Sequence, residues 1–266
     1  MSDAASLEAH LASTATDDAF LGGALNMLQP RQGYRAGLDG VLLAATVAAG
    51  EGERVLDAGA GVGVVGLAVA RRLSHVRATL VERDPGLAAL ARANIARNGL
   101  GERVQLIEAD IMRPLGESPE LAAVAASFDH VVANPPYHVE GHGTAAGDPA
   151  KAAANAMPVG ALERWVRFMA AMARPGGTAT LVHRADALGE ILAALDGRFG
   201  AAVVLPLHPR DGEPASRVLV QAVKGSRAPL ELRHGLVLHN PDHGFRPEVD
   251  AILRGGAPLP IRPPRS

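Results

Sequence analysis

A glycine-rich turn set between an apolar strand and a helix restricts the possible folds of this chain more than any other feature. The stretch "VLDAGAGVGVVGL", Val55 to Leu67, puts Asp57, Gly59, Gly61 and Gly63 at that junction. Glycine tolerates the tight turn and lets a ligand approach the backbone closely, and the following helix start presents unpaired N–H groups. The pattern then repeats: "RATLVERD" as a strand, Pro85 to Asn98 as a helix stopped by Gly99, "RVQLIEAD" and "FDHVVAN" as further strands. Apolar strands separated by helices at this spacing predict a parallel sheet covered on both faces.

The flanking segments extend that prediction. Leu38 to Ala49 reads as a helix before the first strand. Leu162, Trp165, Val166, Met169 and Met172 recur at helical spacing, and Pro175-Gly176-Gly177 ends that helix before the strand "TATLVHR". A helix over Ala185 to Leu195 leads to two strand-like runs, "AAVVLPLHP" and "SRVLVQAVKG", joined by the turn-rich Arg210 to Pro214. The expectation is a Rossmann-like α/β fold: a seven-stranded, mostly parallel sheet with an antiparallel hairpin at one edge and helices on both faces. One domain is expected over residues 21–250, with flexible ends at 1–20 and 251–266.

The fourth strand stops at Asn134-Pro135-Pro136-Tyr137, because each proline lacks an N–H and fixes φ near −65°. These residues therefore stand at a carboxyl strand end, where open α/β sheets bind ligands. An exocyclic or amide nitrogen is a poor nucleophile, since its lone pair is delocalised. The Asn134 side-chain oxygen and the Pro135 carbonyl are two acceptors suited to its two hydrogens, and Tyr137 offers a ring face for a planar amide or an extruded base.

The glycine loop alone leaves two cofactors open. Gly61-Val62-Gly63-Val64-Val65-Gly66 fits a dinucleotide fingerprint, and Glu82, ending the second strand, suits a ribose diol in either case. Asp57 opposes a pyrophosphate but tolerates a cofactor with an ammonium and no phosphates. Asp110 is placed to accept from an adenine amino group with Ile111 on the ring; Asp84 and Asp110 are equally suited to capping the helices after them.

Three sets of residues carry a resemblance. Asp57-Ala58-Gly59-Ala60-Gly61-Val62-Gly63 resembles motif I of class I S-adenosyl-L-methionine-dependent methyltransferases, and Asn134-Pro135-Pro136-Tyr137 resembles motif IV of the amino-methyltransferases. The segment "QPRQGYRAGLDGVLLAA" and the later "HPRDGEPASRVLVQAVKG" and "LVLHNPDHGF" resemble the bacterial tRNA(Val) adenine-N6 methyltransferase family, although Ala36-Gly37 departs from its usual Phe-Ser. The resemblance implies S-adenosylmethionine as cofactor, bound by Asp57, Gly59, Gly61, Gly63, Glu82, Asp110, Ile111, Asn134, Tyr34 and Arg35. It implies tRNA adenine N6 as acceptor, with Asn134, Pro135, Pro136 and Tyr137 at the reacting nitrogen. Gly33, Tyr34 and Arg35 would lie over the cofactor's methionine end or the substrate entrance; the loop from His138 to Met157, rich in Gly and Ala, would either close over a bound base or be disordered. A glutamine methyltransferase acting on release factors uses the same amine geometry and is the alternative acceptor reading. The nicotinamide reading leaves Asn134 to Tyr137 without a role, and a non-catalytic RNA-binding module leaves the glycine loop without one.

Composition bounds the rest. The chain has 266 residues, no cysteine and a formal net charge of −2, so thiolate sites are excluded and a uniformly basic nucleic-acid coat is not present. Basic residues nevertheless exceed acidic ones, ten to six, from Arg198 onward. No run is apolar enough to span a bilayer and the start lacks a signal-peptide pattern, so a cytoplasmic, membrane-free protein is expected. The pairs His138/His142 and His239/His243 have metal-compatible spacing but lie in loops without carboxylate clusters, so no metal is expected. Ser216 lacks a nucleophile-elbow setting. The sequence leaves the oligomeric state open.

Overall fold

Buried from both sides, the central strands carry continuous apolar runs such as Val55-Leu56 and Leu80-Val81, and the computed structural model assembles them into one sheet. It describes residues 15–32, 35–136, 138–139, 156–157 and 160–261. In chain order the strands are β1 (Ala15–Phe20), β2 (Leu25–Pro30), β3 (Arg54–Ala58), β4 (Arg77–Glu82), β5 (Val104–Glu108), β6 (Phe128–Ala133), β7 (His138–Val139), β8 (Ala156–Met157), β9 (Ala173–Arg184), β10 (Phe199–His208), β11 (Arg217–Lys224), β12 (Glu231–Leu232) and β13 (Leu236–Val237). The α-helices are α1 (Leu38–Ala45), α2 (Val64–Arg72), α3 (Pro85–Arg97), α4 (Pro119–Ala123), α5 (Ala161–Met172), α6 (Leu188–Leu195) and α7 (Pro247–Gly255).

The main sheet runs β12-β10-β11-β9-β6-β3-β4-β5, with β13 also on β10. Its pairings are parallel except those of β11, which is antiparallel to both β10 and β9. Seven long strands and the antiparallel edge hairpin agree with the sequence expectation; the two-residue strands β12 and β13 add to it. One core lies between the sheet and α1, α2, α3 and α7, the other between the sheet and α4, α5 and α6. Helix α3 begins as its sequence dictates, with Asp84 Oδ1 accepting from Leu87 N at 2.9 Å and Pro85 in the first turn. Among the described residues no helix is long and apolar enough to cross a membrane.

Both ends of the structured region differ from the expected limits of 21 and 250. Strand β1, within the segment expected to be flexible, pairs along its length with β2. Two asparagines one turn apart on α3 then hold β2 as a neighbouring strand would. Asn94 Oδ1 accepts from Leu28 N at 2.7 Å and its Nδ2 donates to Leu28 O at 3.0 Å, and Asn98 makes the same exchange with Asn26. At the other end, α7 packs on the first core, Leu259 N donates to Ala45 O at 2.8 Å, and Ile261 is buried. The tail expected to be flexible thus begins inside α7, and its proline-rich continuation docks without regular structure as far as Ile261. Helix α1 also stops earlier than expected, at Ala45 rather than Ala49.

Candidate active site

Every parallel strand presents its carboxyl end at the same sheet edge, and there the loops after β3, β4, β5 and β6 converge. After β3 the chain turns with φ of 64° at Gly59, 57° at Gly61 and 92° at Gly63, a left-handed region natural to glycine. The turn closes with Gly63 N donating to Ala60 O at 2.9 Å. A Cβ on Gly59 would lie 2.3 Å from Trp165 Cη2, so this core tryptophan on α5 also supports the loop from below. A Cβ on Gly61 would meet nothing within 4 Å, which leaves that side of the turn open.

Glu82 fixes the loop from the adjacent strand. Its Oε2 accepts from Gly61 N at 2.8 Å, and its Oε1 accepts from Arg83 N and Asp84 N, both at 2.8 Å. The carboxylate is buried and thus preset beside the open turn. Asp57 is buried near the end of β3, where its Oδ2 accepts from Gly66 N at 2.9 Å. Burial pushes the Asp57 carboxyl up to about 7; the Gly66 hydrogen bond opposes this and the nearby Glu82 charge adds to it.

That shift has a testable sign. A carboxyl whose folded value exceeds its unfolded one favours the folded chain most at low pH, and the contribution is lost as pH rises toward about 7. Asp57→Asn is expected to flatten the decline in urea midpoint between pH 5 and pH 8 relative to the parent chain. Equal declines in both proteins would mean that Asp57 is ionised throughout.

Asp110 follows β5, and its Oδ1 accepts from Met112 N at 2.9 Å, capping a turn rather than a helix. Its Oδ2 lies 3.6 Å from Arg83 Nη1. Ile111 is buried in the core under α5 and α6. Asn134 and Pro136 are half-buried and Pro135 is buried, directly beyond Ala133 of β6. Gly33, Tyr34 and Tyr137 lie outside the described residues, as do most of the residues between His138 and Met157. Arg35 is tied to the N-terminal hairpin: its guanidinium donates to Asp18 Oδ2 and Thr16 Oγ1, each at 2.6 Å, and to Pro30 O at 3.1 Å.

One neighbour of the proline motif was not singled out from the sequence. His183, at the end of β9, is buried beside the Pro136 backbone. Burial holds its imidazole below the ordinary histidine value, while Pro136 and Asp186 pull the other way. The signal was a histidine directly after the apolar pair Leu181-Val182 at a carboxyl strand end.

The pieces fit S-adenosylmethionine better than a dinucleotide. A preset acid beside an open glycine turn can accept a ribose diol, and two buried acids around that turn disfavour a pyrophosphate. Comparison with known proteins agrees. Residues 38–160 match the methyltransferase small domain. A tRNA1(Val) (adenine(37)-N6)-methyltransferase of Aeromonas hydrophila is 33% identical over 199 residues, 73% of this chain and 79% of the relative. A release factor glutamine methyltransferase of Geobacter sulfurreducens is 41% identical over 83 residues, 31% of this chain and 26% of the relative. The crystal structure of a predicted O-methyltransferase from Agrobacterium tumefaciens superposes with a TM-score of 0.71 at 35% identity, covering 84% of this chain and 98% of that one. The chain therefore belongs to the S-adenosylmethionine-dependent methyltransferases of the methyltransferase small domain family, together with the tRNA1(Val) adenine-N6 enzymes.

Proposed function

We propose that this methyltransferase acts on an exocyclic amino nitrogen, adenine N6 of a tRNA near the anticodon. The observation that carries the proposal is Asn134-Pro135-Pro136 directly after β6, whose last residue Ala133 pairs with Ala58 ahead of the Glu82-braced glycine loop. The extended match to an adenine-N6 enzyme, over 79% of that relative, favours adenine. The match to the glutamine methyltransferase supports the same amine chemistry but reaches only 26% of its length, which makes protein glutamine the second reading.

Bound S-adenosylmethionine supplies an activated methyl group on a sulfonium. Asn134 Oδ1 and the Pro135 carbonyl accept the two amine hydrogens and turn the nitrogen lone pair out of the ring plane. Tyr137 stacks on the base. Glu82 would hold the ribose diol and Asp110 the adenine amine of the cofactor. Transfer would form the nitrogen–carbon bond as the sulfonium–methyl bond breaks to leave a neutral thioether; the nitrogen would then be cationic and acidic, so its proton could pass to water without a strong base. Positioning would supply much of the acceleration, and the Glu82 carboxylate is already braced by three backbone N–H groups.

The test is transfer of labelled methyl into two separate pools, unmodified bacterial tRNA and release-factor protein. Label is expected in tRNA and is expected to digest to N6-methyladenosine. Label confined to protein glutamine would replace adenine with the second reading.

A further inference from the structure

A cleft of about 450 Å³ opens beside the proposed acceptor site, and the proposed reaction gives it no role. Its walls include Arg35, Asp39, Ser216, Arg217, Leu238 and His239. Strand pairing fixes its position. Ala133 pairs with Leu181 on β9, and Arg184, ending β9, pairs with Arg217, which opens β11. The cleft therefore lies on the same carboxyl edge as Asn134, two strands along, or roughly 10 Å at ordinary strand spacing.

Its chemistry narrows the ligand. The His239 ring is stacked on Phe245, with centroids 4.7 Å apart and planes 24° apart. That backing holds the imidazole as a rigid planar wall. Its Nδ1 is buried with no hydrogen-bond partner among the described residues, a cost that a purely structural histidine need not carry. Arg217 Nε donates to Asp39 Oδ2 at 2.7 Å, which fixes the direction of the guanidinium and sets a donor beside an acceptor. The charges are matched: Asp39 offsets Arg217, and Asp18 offsets Arg35. A balanced cleft favours an uncharged group with both donors and acceptors over a bare phosphate. The volume lies within the range of small-molecule sites.

We infer that this cleft receives the base of the nucleotide next to the methylated adenine, stacked on His239 with its edge toward Arg217 and Asp39. The inference rests on the RNA reading of the neighbouring site. Recognition of a second unstacked base would confine the enzyme to loops and single strands, where bases can be splayed apart.

The test uses the tRNA that accepts label in the pooled assay, rebuilt with one abasic nucleotide on either the 5′ or the 3′ side of the methylated adenine. With the parent enzyme, one of the two abasic RNAs is expected to raise KM roughly 5- to 100-fold, the loss of one base stack, with kcat little changed. His239→Ala is expected to raise KM for the intact tRNA by the same factor and to be indifferent to that abasic change, while its cofactor affinity stays at the parent value. Equal KM for both abasic RNAs and the intact one on the parent enzyme would overturn the inference, and this arm needs no variant to fold. A full abasic penalty retained by His239→Ala would overturn it as well. Label in release-factor protein with none in intact tRNA would instead remove the adenine reading on which the inference stands.

Discussion

Replacing Asn134 with alanine is expected to lower the rate of methyl transfer roughly 10²- to 10³-fold, with cofactor affinity within about threefold of the parent chain. The variant keeps Pro135 and its carbonyl but loses one of the two acceptors that turn the amine. With one hydrogen released, the nitrogen relaxes into conjugation with the ring and its lone pair no longer points at the methyl group. On the proposed adenine reading the effect belongs in kcat, since a base would still stack and the RNA would still dock. Asn134→Asp keeps an acceptor in place and is expected to lose less than Asn134→Ala. Single-turnover transfer to tRNA, with calorimetric binding of the cofactor, separates the two quantities. An alanine variant within fivefold of the parent rate would show that Asn134 does not hold the reacting amine.

Glu82 carries the second large effect, on binding rather than chemistry. Its carboxylate accepts from three backbone N–H groups, those of Gly61, Arg83 and Asp84, and is buried beside the glycine turn. Glu82→Ala is expected to weaken cofactor binding at least ~30-fold and to lower stability by roughly 1–3 kcal/mol, as charge-assisted hydrogen bonds to part-buried amides are lost. Glu82→Gln separates the two consequences. It retains an oxygen for Arg83 and Asp84 and is expected to fold with a smaller loss, yet its amide presents a donor to Gly61 N and to the ribose. Cofactor binding by the glutamine variant at parent affinity would remove Glu82 from the binding site, whatever its stability.

Both effects concern residues whose place was legible in the sequence, and the reason is local. Glu82 ends the apolar run "ATLVE" just before Asp84 and Pro85 open a helix, which announces a strand end wherever the chain lies. Two prolines after Asn134 stop a strand by covalent geometry alone. The alternation of strands and helices likewise implied the parallel sheet, and the turn-rich link at Arg210 to Pro214 implied the antiparallel pair at its edge.

Other features depended on partners distant in sequence. Nothing in Ala15 to Pro30 reveals that it is held by amides 66 to 72 residues away, because Asn94 and Asn98 look like any polar positions on a helix. The docking of Leu259 and Ile261 is hidden by a composition that reads as a loose tail. His183 gains its position beside Pro136 only from the adjacency of β6 and β9. The cleft exists because α1, the start of β11 and the segment after β13 meet around Arg217 and Asp39, 178 residues apart. The sequence by itself determined the sheet class, the strand ends and the residue types at them, since backbone dihedral limits and apolar periodicity act over a few residues. Only the tertiary structure decided the limits of the domain and the company each residue keeps, since these arise from packing and hydrogen bonds between segments that no local pattern connects.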